Sequence, residues 1–166
     1  MTKVNRNLDG LHVLVVEDDD DTREVLTLGL TLYGADVVAV NCAAAAVAEL
    51  EKNIPDVILS DIGLPDEDGL QLIRRVRQMS PARGGRVPAV AVTAFTLRDD
   101  VEETTRAGFQ RHFRKPVDTH ALFSAVIELA RIGRIERRRL ARRALPPPHG
   151  TPLPLGDRRL DVERRA

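Results

Sequence analysis

A single cysteine, Cys42, stands in 166 residues, so no internal disulfide can form and nothing points to an oxidising compartment. No apolar run approaches the ~20 residues that a membrane-spanning helix needs, and the start shows no secretory signal pattern. Cytoplasm is therefore the expected location. Aromatic residues are scarce, at 3 %. The arginine-rich C-terminal stretch has neither aromatic interleaving nor a helix-turn-helix pattern, which excludes a recognisable DNA-binding output domain. Net charge is absent too, with 25 basic and 25 acidic residues. That zero conceals a split. Residues 1–130 hold 14 Lys and Arg against 21 Asp and Glu, and residues 131–166 hold 11 Arg against 4 acids. An acidic body is joined to a basic tail, and each needs its own reading.

The body has the material for a core: 43 % of the chain is hydrophobic and 30 % charged, as in soluble globular domains. Short β-branched apolar runs at 11–16, 35–40, 56–60 and 87–93, with a weaker one at 109–113, read as strands buried on both faces. Between and after them, 21–34, 43–53, 69–79, 96–108 and 118–130 read as helices. In the first, Asp21 with Glu24 forms a capping box, Val25, Leu28 and Leu32 mark the apolar stripe, and Gly34 ends the helix. Thr96 with Asp99 caps the fourth. Leu122, Ala125, Val126 and Leu129 face inward from the fifth. Five strand–helix units in alternation predict a parallel sheet with helices on both faces. The expected organisation is an N-terminal extension over 1–9, one domain over 10–130, and a tail over 131–166 that begins as a helical extension and ends disordered.

In such sheets functional groups gather beyond the carboxyl ends of the strands. Glu17, Asp18 and Asp19 follow the first strand, Asp61 the third and Lys115 the fifth, and Thr93 ends the fourth. Two or three carboxylates around one point favour a hard divalent cation held through oxygen, and magnesium suits because it keeps several waters. Asp61 precedes the turn-forming "IGLPDEDG" and can act as a nucleophile toward a phosphoryl group. Lys115 can then neutralise a phosphoryl oxygen, and Thr93 can donate its hydroxyl to another. Asp20 and Asp21 read as capping residues, Asp66, Glu67 and Asp68 as turn and helix-start residues, and Cys42 as a small buried residue.

Residues 10–130 resemble the receiver domain of two-component response regulators. The resemblance rests on "VVEDD" (15–19), "PDVILSDIGLPDEDG" (55–69), "VPAVAVTAF" (87–95) and "GFQRHFRKPVD" (108–118). It implies a flavodoxin-like doubly wound five-stranded sheet of order 2-1-3-4-5, the order for which a chemotaxis receiver is a standard example. It also implies that Asp61 is the phosphoacceptor, that Glu17 and Asp18 form the acidic pair, with Asp18 the direct magnesium ligand, and that Gly63 offers its backbone carbonyl to the metal. Thr93 becomes the switch hydroxyl and Lys115 the phosphate-binding lysine. A receiver of this kind catalyses only its own phosphorylation and dephosphorylation. Its partners are a histidine kinase or a histidine phosphotransfer protein and a downstream protein target; a membrane is not among them.

Two positions depart from the common pattern. His112 stands three before the lysine, where many receivers have an aromatic switch residue; histidine there is similar to receivers attached to hybrid sensor kinases, as is the long "SPARGGRVP" connection. Phe95 stands two after Thr93, and its bulk is expected to hinder water and lengthen the life of the phosphate. Two other functions compete. One is a protein-interaction module of the same fold that no longer depends on phosphorylation. The other is a phosphatase resembling haloacid dehalogenases, for which "DDDDT" (18–22) and "GDRRLD" (156–161) are partial matches; the second has no apolar strand before it, and Asp61, Thr93 and Lys115 stay unexplained. "RIGRIERRRLARRAL" (131–145) extends the last helix on an imperfect apolar stripe, and "PPPHGTPLPLG" (146–156) blocks regular structure. The tail is expected to be solvated; a contact with an acidic partner or weak nonspecific contact with nucleic acid are its other readings.

Overall fold

The computed structural model describes residues 8–94 and 98–144, without the side chains of 98–100. Five strands alternate with five helices: β1 (His12–Val16), α1 (Asp20–Leu32), β2 (Asp36–Val40), α2 (Ala43–Lys52), β3 (Val57–Asp61), α3 (Gly69–Gln78), β4 (Ala89–Thr93), α4 (Arg98–Ala107), β5 (Arg111–Arg114) and α5 (Thr119–Ala144). A short 3-10 helix, Pro81–Arg83, lies between α3 and β4. The sheet is parallel throughout and has the order β2-β1-β3-β4-β5.

Alternation along each strand divides the core. Leu14 and Val16 of β1, with Ile58, Ala89 and Ala91, pack under α2 and α3. Val13 and Val15, with Val57, Leu59, Val90 and Val92, pack under α1 and α5. Both faces of β3 and β4 are therefore covered and every residue in them is buried, as their unbroken apolar sequence requires. Each fully buried Leu, Ile or Val contributes on the order of 1.5–3 kcal/mol, and this sandwich holds the strand ends in place.

Three local expectations are corrected. Val25, Leu28 and Leu32 are 58–65 % exposed, and α1 instead buries Leu26 and Leu30. The helix is apolar over a wide arc, and two lines at helical spacing fit it equally; the ring of Phe123, seated where a side chain at Gly29 would stand, shows which line meets α5. The cap of α1 is Asp19, whose carboxylate accepts from Thr22 N–H at 2.8 Å, so Asp20 and Asp21 lie in the first turn. Asp66 does more than turn the chain: it accepts from the N–H groups of Ala43 and Ala44 at 3.0 Å, capping α2, where half-buried Cys42 makes no side-chain cap. Asp68 caps α3 through Gln71 N–H. The expected Thr96 cap, Phe95 and residues 145–166 lie outside the described residues.

The ends of the body are packed. Leu8 is fully buried, and its N–H donates to Tyr33 O. Helix α5 continues past residue 130 to Ala144. It can do so against the sheet because Gly133 is glycine: a Cβ there would stand 1.9 Å from Asp56 O. One turn on, Arg137 Nη2 lies 2.9 Å from Oδ1 of wholly buried Asp56, without hydrogen-bond alignment, and its Nη1 donates to Ile54 O. Asp56 Oδ2 accepts from His12 N–H. A second half-buried guanidinium, Arg77, donates to the carbonyls of Gly85, Val87 and Gly108, tying the turn after α4 to the approach to β4. Burial lowers its pKa.

Candidate phosphoacceptor site

β1, β3, β4 and β5 all end at one edge of the sheet, because parallel strands in register share one direction. Val16 pairs with Ser60, Asp61 with Val92, and Thr93 with Arg114. Glu17, Asp61, Thr93 and Lys115 are thereby placed on four adjacent strand ends. Asp61 is 8 % exposed, Glu17 1 % and Thr93 fully buried. Asp18, two residues past the strand, is exposed.

Lys115 links the acids. Its Nζ lies 2.8 Å from Asp61 Oδ2 and 3.0 Å from Glu17 Oε2, and its own N–H donates to Thr93 O at 2.8 Å. Pro116 follows across a cis peptide bond. The other Asp61 oxygen, Oδ1, accepts from Gly63 N–H at 3.1 Å. The backbone around Asp61 is enclosed by the start of α3: Gly69 N–H donates to Ile62 O, and a Cβ on Gly69 would fall 2.3 Å from Asp61 O. Only glycine permits that approach.

The electrostatics are unbalanced. Three carboxylates, of Glu17, Asp18 and Asp61, can each bring one oxygen within 4.8 Å of the others. One ammonium answers them. Burial raises the pKa of Glu17, and the neighbouring Asp61 charge adds to this, against the hydrogen bond from Lys115. Burial alone would lower Lys115, but its hydrogen bonds to Asp61 and Glu17 prevail and raise it. Unit charges 4 Å apart interact by about 4 kcal/mol at an effective dielectric of 20, so the surplus negative charge favours a further cation. As hard oxygen donors, these carboxylates would suit magnesium, which binds through one or two carboxylates and keeps several waters.

The structure thus brings together Glu17, Asp18, Asp61, Gly63, Thr93 and Lys115. The Asp-x-Asp-x-Thr reading of 18–22 is broken up, since Asp20 and Thr22 belong to α1. His112 sits apart, half-buried on β5 beside Ala91, with Nδ1 3.3 Å from Oγ1 of buried Thr104 on α4. Sequence reasoning missed Arg23. Its guanidinium donates to the carbonyls of Glu17 and Asp18 and pairs with Asp20, so it holds the acidic loop in shape. The available signal was a lone cation two residues after five consecutive acids.

Comparisons with known proteins agree with this geometry. The sequence model of the response regulator receiver domain matches residues 13–127. An uncharacterised 14.6 kDa protein of Leptolyngbya boryana is 38 % identical over 116 residues, 70 % of this chain and 87 % of that one. A probable histidine kinase of Oryza sativa subsp. indica is 32 % identical over 75 % of this chain, which spans only 13 % of that kinase. Among solved structures, the receiver domain of a sensor histidine kinase from Pseudomonas aeruginosa PAO1 is 31 % identical with a TM-score of 0.66, covering 73 % of this chain and 98 % of its own. That structure has a magnesium ion coordinated in its active-site cleft. This chain belongs to the response regulator receiver domain family, the phosphoacceptors of two-component signalling. Among the described residues no helix is long and apolar enough to cross a membrane.

Proposed function

We propose that Asp61 accepts a phosphoryl group from a phosphohistidine on a histidine kinase or histidine phosphotransfer protein, and that the resulting charge switches the domain for a downstream protein target. The observation that supports this best is Asp61 itself, a carboxylate at a strand end with one oxygen on Lys115 and the other on Gly63 N–H. An Asp61 oxygen forms the bond to phosphorus as the phosphorus–nitrogen bond to the donor imidazole breaks. Glu17, Asp18 and Asp61, with the Gly63 carbonyl, are the groups we assign to magnesium, which supplies shielding between the attacking carboxylate and the incoming anion. Lys115 moves from Asp61 Oδ2 onto a phosphoryl oxygen, and Thr93 donates its hydroxyl to another.

The new group adds about −1.5 to −2 charges. Thr93 and Lys115 are joined through the Thr93 carbonyl, so their displacement toward the phosphoryl group moves the ends of β4 and β5 together. His112, on Thr104 of α4, carries that movement to the fourth helix. Moving a population from 1:99 to 99:1 takes about 5.5 kcal/mol of differential binding.

Intact mass after incubation with acetyl phosphate tests the assignment. A magnesium-dependent gain of about 80 Da, one phosphoryl group, is expected in the parent and none in Asp61→Asn. A parent that gains nothing from acetyl phosphate or from a phosphorylated histidine phosphotransfer protein would be a phosphorylation-independent binding module.

A further inference from the structure

The helical extension of α5 presents a cationic face that the phosphoryl chemistry does not use. At 100° per residue, Arg131, Arg134, Arg138 and Arg142 succeed one another at steps of three, four and four, which places them in one line along the helix. The line faces away from Gly133, which touches Asp56; only Arg134, at its edge beside Gly10, comes near the side on which Arg137 pairs with Asp56. Arg131, Arg138 and Arg142 are exposed and Arg134 half-buried. Among the described residues none of the four has a carboxylate within ion-pair distance, whereas Arg137 and Arg139 have theirs. Four like charges about 6 Å apart repel one another, and the fold holds them in line by the Gly133 and Arg137 contacts.

We propose that this face binds the phosphate backbone of nucleic acid without regard to sequence. Its length, about 16 Å at 1.5 Å per residue, spans several phosphates of one strand, spaced 3.4 Å along a duplex axis. Guanidinium groups match phosphate oxygens two at a time. The acids of the phosphoacceptor site are remote from this face. Arg137 meets Asp56 and Ile54 just before β3, at the amino edge of the sheet, and the acids of Glu17, Asp18 and Asp61 are at the carboxyl edge. A five-residue strand separates the two edges by about 17 Å, about twice the screening length of ~8 Å at physiological salt. A protein-binding patch has an apolar centre and a charged rim; here the arginine line is charged throughout, and the exposed Ile132 and Ile135 lie to one side of it. A helix lying on a membrane needs its apolar arc free, and the arc of Val126, Leu129 and Gly133 is buried.

The test is fluorescence anisotropy of a labelled 20-base-pair duplex of mixed sequence, titrated with the full chain across a salt series. Binding at low salt is expected, with log affinity falling against log salt at a slope of about −3.6, four contacts at −0.9 each. The variant R131Q/R134Q/R138Q/R142Q should bind at least tenfold more weakly with a nearly flat slope. The matching Arg→Lys variant should bind within a few-fold of the parent. No binding at low salt would overturn the proposal. So would undiminished binding by the Gln variant, which would place the contact in residues 145–166, or tighter binding to polyglutamate or to vesicles of anionic lipid.

Discussion

Two edges of the sheet each bury carboxylates against a cation, and they are built differently. At the amino edge Asp56 is wholly buried, faces one guanidinium and accepts one backbone N–H. Charge is matched one to one, and the carboxylate is shut off from water although Arg137 is 36 % exposed. At the carboxyl edge Glu17 and Asp61 share Lys115, with Asp18 beside them in solvent. Charge there is three to one and one member is open to water. A balanced buried pair serves the fold, since it has nothing further to bind. An unbalanced one gives up stability and retains affinity for a cation and for the anion that the cation brings.

The largest effect should come from breaking the balanced edge. Asp56→Ala leaves Arg137 and the His12 N–H without their buried acceptor and should cost about 3 kcal/mol, read as a lower urea midpoint; a loss under 1 kcal/mol would show the pair to be ornamental. Next, saturating magnesium should stabilise the parent by about 2.7 kcal/mol at a hundred times its Kd. EDTA should reverse the gain and Asp61→Asn should not show it. The two edges should also respond differently when each loses its cation. Lys115→Met and Arg137→Met should each destabilise by roughly 2 kcal/mol in EDTA, and magnesium should restore only the first. Recovery of the second would mean that the balanced edge is also a metal site.

Smaller effects follow away from both edges. Asp66→Ala removes the cap of α2 and should cost about 1 kcal/mol. The backbone N–H groups of Ala44 and Ala43 lower the pKa of Asp66. Its contribution should therefore be whole above the ordinary aspartate value of about 3.9 and fade as pH falls through the lowered value, so parent and variant should converge in strong acid. Smallest of all, Glu102→Gln opens the exposed pair with Arg106 and should change stability by less than about 0.5 kcal/mol.

The fold was legible because its signals are local and repeated. Apolar β-branched runs such as "DVILS" and "AVAVT" can only be strands buried on both sides, and their alternation with helices leaves few topologies. The site was legible because each of its side chains sits just past such a run. What stayed hidden depends on contacts distant in sequence. The choice between Leu26–Leu30 and Val25–Leu28–Leu32 on α1 needed Phe123 of α5, and Asp66 could be seen to cap α2 only once the loop after β3 was folded over residues 43 and 44. Arg137 looked like one of many tail arginines until α5 carried it to Asp56.

The sequence by itself therefore determined the elements, the direction of the sheet and the residues offered at the strand ends, because hydrophobic period and chain geometry act over a few residues. Only the tertiary structure decided which acids share a cation, which face of a helix is inner and how far α5 remains attached to the sheet, because charge pairing and close packing depend on ångström distances between segments that the chain order does not bring together.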